Sequence, residues 1–280
     1  DVYKRQDLDL FIGVNRIDGI NPSEFRPNQD DGTSLSRDRL YENRWDDTLG
    51  HPRFVNVSDS AGIRYHGYSH STLIHDFNKD GWMDIYVAND FFSNDLVYIN
   101  NQDGTFTNRA GEIFKHFSLS SMGSDLADIN NDGELDLFTT EMQPYYNKRK
   151  KLFQGPSSYN KEIFTRRYGY EYQYARNTLQ IANGTDPETG LPVYSETGMF
   201  AGIQETDWSW APLFADYDND GWQDLLITNG FPKDVTDRDF GDFRVTASRL
   251  VSKEKLIEAI PEIKIPNFAF RNQANLTFED

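Results

Sequence analysis

Oxygen-bearing side chains crowd one short segment of the chain, at spacings that suit a hard cation. In HDFNKDGWMDIYVAND, residues 75–90, they belong to Asp76, Asn78, Asp80 and Asp84, with Gly81 among them. Calcium takes about six to eight oxygen ligands, and side chains at places 1, 3 and 5 of a loop can surround one point if a glycine at place 6 permits a sharp turn. The segment therefore predicts a calcium loop that is closed by an aspartate at place 9.

Two further segments repeat this pattern, ADINNDGELDLFTTE at residues 127–141 and ADYDNDGWQDLLITNG at residues 215–230. An acidic turn that binds nothing is the competing interpretation, since Asp, Asn and Gly favour turns; three matching copies favour the cation. The predicted calcium ligands are the side chains of Asp76, Asn78, Asp80 and Asp84, of Asp128, Asn130, Asp132 and Asp136, and of Asp216, Asp218, Asp220 and Asp224, with the place-7 carbonyls of Trp82, Glu134 and Trp222. We expect three structural calcium sites, of which the third binds most tightly because it has one more carboxylate.

Other site chemistries find less support in the sequence. The chain has no cysteine, which excludes disulfides and thiolate ligands. His66, His70 and His75 have the spacing of zinc ligands on a helix, but their segment has the character of a strand, on which such spacing does not converge. No histidine is therefore predicted to bind metal or to act in catalysis.

The elements that position the acidic loops are predicted to be strands. Each loop runs into alternating apolar residues, as in MDIYVAN, and polar turns such as NNQDGTF between the loops indicate hairpins. A truncated fourth copy, DLDLFIGVN, places Asp9 in line with Asp84, Asp136 and Asp224. The shortest repeat, from Asp84 to Asp136, is 52 residues, and about four short strands in such a unit is the size of a propeller blade.

The predicted fold class is all-β with helical insertions, in the form of one partial β-propeller domain over residues 1–280. Its four blade units cover approximately 7–60, 70–111, 122–200 and 210–280, and the helical insertions approximately 145–174 and 242–260. The chain looks truncated at both ends: DVYKRQ stands where the head of a fourth acidic loop is expected, and the last residues stop inside a hairpin strand.

The charge balance limits the classes of molecule that the protein is expected to bind. With 28 basic and 45 acidic residues, the formal net charge is −17, which argues against nucleic acid. The basic run NKRKK, residues 147–151, is expected to dock against the acidic body of the protein. No apolar run approaches the roughly 20 residues of a membrane-spanning helix.

The loops and hairpins together resemble FG-GAP/VCBS-type repeats, and integrin α-chain propellers carry similar calcium loops. SMGSDLADINNDGELDLFTTEM and TDWSWAPLFADYDNDGWQDLLITNG are similar to bacterial VCBS-repeat proteins related to cartilage acidic protein, the ASPIC/UnbV-associated group. The resemblance implies a seven-bladed propeller, bound calcium, and a location that is extracellular, at the cell surface or periplasmic.

Two functions remain open from the sequence. The first is a calcium-stabilised scaffold that binds protein or glycan, in which Trp208 and Trp210 either stack on sugar rings or fill space between blades. The alternative is a carbohydrate-active enzyme, a polysaccharide lyase or hydrolase, which needs an acid and a base paired in one cleft.

Overall fold

The structure is a computed structural model that describes residues 8–21, 24, 26–153, 159–231 and 233–280. The expected remnant of a fourth loop head, in residues 1–6, lies outside this part of the chain, as do residues 154–158 of the first predicted helical insertion.

Most regular structure in the described residues is β. The strands are β1 Leu10–Ile12, β2 Arg39–Asp46, β3 His51–Asn56, β4 Ser69–His75, β5 Asp84–Asn89, β6 Leu96–Asn100, β7 Phe106–Asn108, β8 Phe117–Ser118, β9 Ser124–Ala127, β10 Asp136–Thr139, β11 Gln173–Tyr174, β12 Thr178–Thr185, β13 Pro192–Glu196, β14 Ser209–Ala215, β15 Asp224–Asn229, β16 Phe268–Asn272 and β17 Phe278–Glu279.

These strands form four successive antiparallel sheets in chain order. Sheet I contains β1–β3, sheet II β4–β7, sheet III β9, β10, β12 and β13, and sheet IV β14–β17. In sheets II to IV each strand pairs with the one before it in the sheet, and the predicted acidic loop joins the first strand to the second. The short strands β8 and β11 form a separate parallel pair.

The hydrophobic core is divided into three layers, one between each pair of neighbouring sheets. Alternate residues of β5 serve different layers, because successive side chains of a strand point to opposite faces. Ile85 and Val87 pack with Leu40 of sheet I, whereas Tyr86 packs with Leu137 of sheet III. A third layer joins sheets III and IV in the same way. The inner sheets thus bury both faces.

The first strands of sheets II, III and IV lie side by side. The hydroxyl oxygens of Ser71 in β4 and Ser124 in β9 are 2.7 Å apart, and Phe214 N–H in β14 donates to Asp125 Oδ2 in β9 at 2.7 Å. A Cβ on Gly123 would lie 2.2 Å from the carbonyl oxygen of Trp210, so glycine permits this close approach.

The outer faces of the two end sheets remain apolar and exposed. Leu10, Phe54 and Trp45 on sheet I are 43, 46 and 64% exposed, and Leu213 on sheet IV is 53% exposed. Among the described residues the four sheets do not close into a ring.

Helices decorate this array and differ in detail from the predicted insertions. The helices are α1 Ala110–Ile113, α2 Asn147–Leu152, α3 Tyr159–Arg167, α4 Gly198–Ala201, α5 Arg238–Ala247 and α6 Lys253–Glu258. The second insertion begins at Arg238, four residues before the predicted start, because Asp237 caps the helix by accepting the Phe240 N–H at 2.8 Å. In the described part of the chain, every helix is too short or too polar to cross a membrane.

Candidate metal sites

The three acidic loops fold alike, and hydrogen bonds from their own backbone hold them. In the first loop, Asp76 at place 1 accepts the N–H groups of Asp80 at 3.0 Å and Gly81 at 2.7 Å. Asn78 Oδ1 also accepts from Asp80 N–H at 3.2 Å, and Asp80 Oδ1 accepts from Trp82 N–H at 2.8 Å. The same donors and acceptors recur at the same places in the second and third loops. The shared spacing of Asp, Asn and Gly along the three loops therefore accompanies one shared loop conformation.

Two backbone positions in each loop adopt positive φ. The glycine at place 6 does so, as predicted, with φ of 88° at Gly133 and 93° at Gly221. Place 4 does so as well, with φ of 59° at Lys79, 59° at Asn131 and 61° at Asn219. Asn tolerates positive φ because its side chain can hydrogen-bond locally. The asparagine at place 4 of the second and third loops is therefore a signal of positive φ that the sequence prediction missed.

The aspartate at place 9 connects its loop to the third strand of the same sheet. Asp84 Oδ2 accepts from Phe77 N–H at 2.8 Å, and its Oδ1 accepts from Asn100 N–H in β6 at 2.8 Å. Asp136 and Asp224 make the equivalent pairs of hydrogen bonds. This residue is therefore a structural clamp even before any cation is considered.

Burial raises the pKa of two of these carboxylates, Asp84 and Asp136. Burial raises the pKa of Asp84 to about 7 and that of Asp136 to about 6, although two backbone N–H groups oppose the rise in each case. A cation beside such a carboxylate would favour its charged form.

The truncated fourth copy has an equivalent of the clamp in its described residues. Asp9 Oδ1 accepts from Asn43 N–H in β2 at 2.9 Å, as the place-9 aspartates do in the other sheets. The four aligned aspartates, Asp9, Asp84, Asp136 and Asp224, thus each accept a backbone N–H from another strand of their own sheet.

Carboxylate oxygens converge on one point in the third loop. One carboxylate oxygen each from Asp216, Asp218 and Asp224 lies within 4.8 Å of the others. Ligands at about 2.3–2.6 Å from a common calcium ion can be at most about 5 Å apart, so this spacing suits one ion. In the first two loops an asparagine, Asn78 or Asn130, replaces the carboxylate of Asp218.

The place-5 aspartates are more engaged with protein groups than the sequence suggested. Asp80 Oδ2 accepts from the Asn78 amide at 3.1 Å, and Asp132 Oδ2 accepts from the Asn130 amide at 2.9 Å. Coordination of a cation by these oxygens, and by the place-7 carbonyls of Trp82, Glu134 and Trp222, stays a prediction.

A basic side chain from another strand faces the third loop. Arg271 in β16 is 2.8 Å from Asp218 Oδ2 and 3.1 Å from Asp220 Oδ2. Its positive charge offsets the extra carboxylate of this loop. The reason for expecting the third site to be the strongest is therefore weakened, and the ranking stays a prediction.

Neighbouring loops also contact one another. Lys79 of the first loop forms an ion pair with Glu134 of the second, and the Asn131 amide of the second donates to the Gly221 carbonyl of the third at 3.1 Å. The three loops thus form one continuous acidic edge along sheets II to IV.

The histidines do not converge on a site. His66 is buried, with Ser34 Oγ at 2.6 Å from its Nδ1, and burial lowers its pKa to about 4. His75 packs edge-to-face on Phe77, whereas His70 lies 3.6 Å from Asp90.

The basic run docks onto the protein, as the charge balance suggested. The Arg149 guanidinium is 2.8 Å from Asp207 and 2.5 Å from Asp234, and Lys150 lies 2.5 Å from Glu205.

Trp208 stacks on Phe231 with ring centroids 4.2 Å apart, and Trp210 keeps 42% exposure.

Comparison with known proteins bears on one part of the chain. A family model described as an FG-GAP-like repeat matches residues 76–139, which run from the first acidic loop to the end of β10. A search of curated proteins finds no match. The segment that carries the first two acidic loops is therefore an FG-GAP-like repeat.

Proposed function

We propose that the chain is a calcium-stabilised binding scaffold, in which the acidic loops hold structural calcium. The observation that carries this proposal is the convergence of carboxylate oxygens within 4.8 Å in the third loop, together with the matching hydrogen bonds of the other two. Repelling carboxylates on exposed turns destabilise a fold unless a cation neutralises them, so calcium binding and folding are linked.

The architecture proposed with it is a β-propeller, with sheets I to IV as four blades. Face-to-face packing of successive antiparallel meanders, of three strands in sheet I and four in sheets II to IV, supports this proposal, as do the adjacent first strands β4, β9 and β14. A ring of seven blades is what the resemblance to VCBS-repeat proteins implies.

The proposed setting is extracellular, at the cell surface or periplasmic. Calcium sites in extracellular modules can be as weak as about 10⁻⁴–10⁻³ M and still stay occupied. FG-GAP repeats are found in adhesion and binding-type proteins, and the insertions α2, α3, α5 and α6 give the scaffold surfaces for a protein or glycan ligand.

Calorimetric titration of chelator-treated protein tests the calcium proposal. We expect calcium uptake of one ion per loop and a rise in Tm with calcium, because a ligand that binds only the native state stabilises it. Magnesium at the same concentration is expected to give a smaller rise, since it requires a smaller octahedral site.

Matched variants locate the uptake. Asp216→Asn should lower the number of bound ions by one, whereas Asp47→Asn, at an exposed aspartate outside the loops, should leave it unchanged. Wild-type protein that takes up no calcium, or whose Tm does not respond to it, would refute the proposal.

A further inference from the structure

Two Asn-Gly pairs occur in the sequence, Asn183-Gly184 and Asn229-Gly230. In such a pair the backbone nitrogen of the glycine can attack the side-chain carbonyl carbon of the asparagine. Glycine obstructs this attack least, because it has no Cβ. The surroundings of each pair in the fold therefore determine which of them can react.

The first pair lies in a β-bulge of the hairpin that β12 and β13 form. The pairing of the two strands shifts register between Ala182 and Thr185, which leaves Asn183 and Gly184 at the irregular position. Asn183 is exposed, and Gly184 has a φ of 78°. Apart from its chain neighbours, no atom of the described residues lies within 4 Å of the place that a Cβ on Gly184 would take. The attacking nitrogen is therefore sterically open.

Two hydrogen bonds hold the Asn183 side chain, and Nδ2 donates each of them. The acceptors are the Ile181 carbonyl at 2.9 Å and the Ser195 hydroxyl at 3.1 Å, and the second bond lies at the surface. Exposed hydrogen bonds in a hairpin open locally at little cost in free energy. The side chain can therefore rotate toward the nitrogen of Gly184 without unfolding of the sheet.

The second pair is held much more firmly. Four hydrogen bonds fix Asn229 through its backbone N–H and through both ends of its side chain. Their partners are Asn267 Oδ1, the carbonyls of Thr206 and Pro266, and the Ser209 hydroxyl, at 2.7–2.8 Å. The backbone nitrogen of Gly230 donates to the Trp208 carbonyl at 3.4 Å. Attack at this pair requires several of these bonds to break together.

We propose that Asn183 is a site of spontaneous deamidation in the native protein and that the fold protects Asn229 from the same reaction. The Gly184 nitrogen bonds to Cγ of Asn183 and loses its proton, while the Cγ–Nδ2 bond breaks and releases ammonia. Water then opens the resulting cyclic imide at either carbonyl and yields aspartate or isoaspartate. Water is the only co-reactant, and the reaction depends neither on the acidic loops nor on the proposed scaffold function.

The product changes the hydrogen bonding of the bulge. Nδ2 of Asn183 donates to the Ile181 carbonyl, whereas a carboxylate oxygen in its place would face that carbonyl oxygen and repel it. The conversion also adds a negative charge to a chain whose formal net charge is −17. Asn183→Asp, which is one of the two products, should therefore lower Tm by a few degrees.

Peptide mapping by mass spectrometry tests the proposal on calcium-loaded full chain that is incubated at mildly alkaline pH. Cleavage after glutamates, such as Glu188 and Glu205, places the two pairs on different peptides. We expect Asn183 to convert about tenfold or more faster than Asn229 in the native protein, because the bonds of Asn229 must open first.

Two controls separate the effect of the fold from the chemistry of the dipeptide. In urea-unfolded chain the two pairs should convert at similar rates, and Asn183→Gln should form no product at residue 183, because its imide would need a larger ring. Native protein in which Asn183 stays intact while the unfolded chain converts overturns the proposal. Equal conversion of both pairs in the native protein overturns it too.

Discussion

A buried glutamate at the end of β10 offers a direct test of the electrostatics of this fold. Glu141 is fully buried, and neither carboxylate oxygen has a well-aligned hydrogen-bond donor in the described part of the chain. Burial raises its pKa from 4.5 to about 8, against a small opposing contribution from the Met142 N–H, and the charge of Asp90 adds to the rise. We therefore expect Glu141 to be neutral in the native protein at pH 7.

The sign and size of the effect follow from proton linkage. Between pH 4.5 and 8 the unfolded chain has lost the Glu141 proton while the native state keeps it, so stability falls as the pH rises and levels off above pH 8. A pKa difference between 4.5 and 8 corresponds to about 5 kcal/mol in total, of which about 3 kcal/mol falls between pH 6 and pH 9.

The substitution Glu141→Gln removes the ionisable group and keeps its shape. Urea unfolding of both proteins, followed by tryptophan fluorescence in saturating calcium from pH 6 to pH 9, should show the variant gaining about 3 kcal/mol relative to wild type. The buried Asp95, whose pKa burial raises to about 7, titrates in both proteins and cancels in the difference. Glu188→Gln, at an exposed glutamate, is the control with no expected gain. A difference between wild type and Glu141→Gln that stays constant over this pH range would refute the reasoning, because Glu141 would then be ionised in the native state.

Three further substitutions probe the loops and the docked helix. Gly133→Ala should cost about 1–2 kcal/mol in urea unfolding from backbone strain alone, since φ is 88° and a Cβ would meet no atom within 4 Å, whereas Gly19→Ala should be neutral. Arg149→Met should lower the unfolding free energy by about 3–5 kcal/mol, because it leaves buried Asp207 without its cation; a loss below that of an ordinary surface substitution would contradict this. Arg271→Gln should tighten calcium binding in the third loop, measured by calorimetry, and an unchanged affinity would show that the arginine does not compete with the ion.

The sequence predicted local features well because their causes are local. Asp, Asn and Gly at places 1, 3, 5 and 6 satisfy the backbone of their own loop, so the hydrogen bonds at Asp76 and Asp80 follow from spacing alone. Strand positions followed from the apolar run after each loop, but the expected alternation between unlike faces is absent from β5 and β10, whose residues are all buried. The caps Asp237 and Ser252 lay in the sequence as N-cap residues, and attention to them would have placed the starts of α5 and α6 correctly.

The residue spacing in the sequence could not predict contacts between segments that are distant in the chain. Arg271 meets the third loop from 51 residues away in the chain, and no spacing rule connects it to Asp220. The burial of Glu141 also depends on distant segments, since the charge of Asp90 acts on it and Asn177 Oδ1 accepts its backbone N–H. The place-4 residue Lys79 carries no conformational signal of its own and takes positive φ because the surrounding hydrogen bonds require it.

The clamp formed by Asp84 has a consequence for strand register. All six residues of β5 are buried, so a slip by one residue would exchange two apolar faces and be only weakly opposed by burial. The same slip would move the Asp84 carboxylate away from the N–H groups of Phe77 and Asn100 and break both hydrogen bonds. These bonds form in one register only. In strands without an amphipathic pattern, a buried aspartate at the first position thus supplies the alignment that hydrophobic alternation supplies elsewhere.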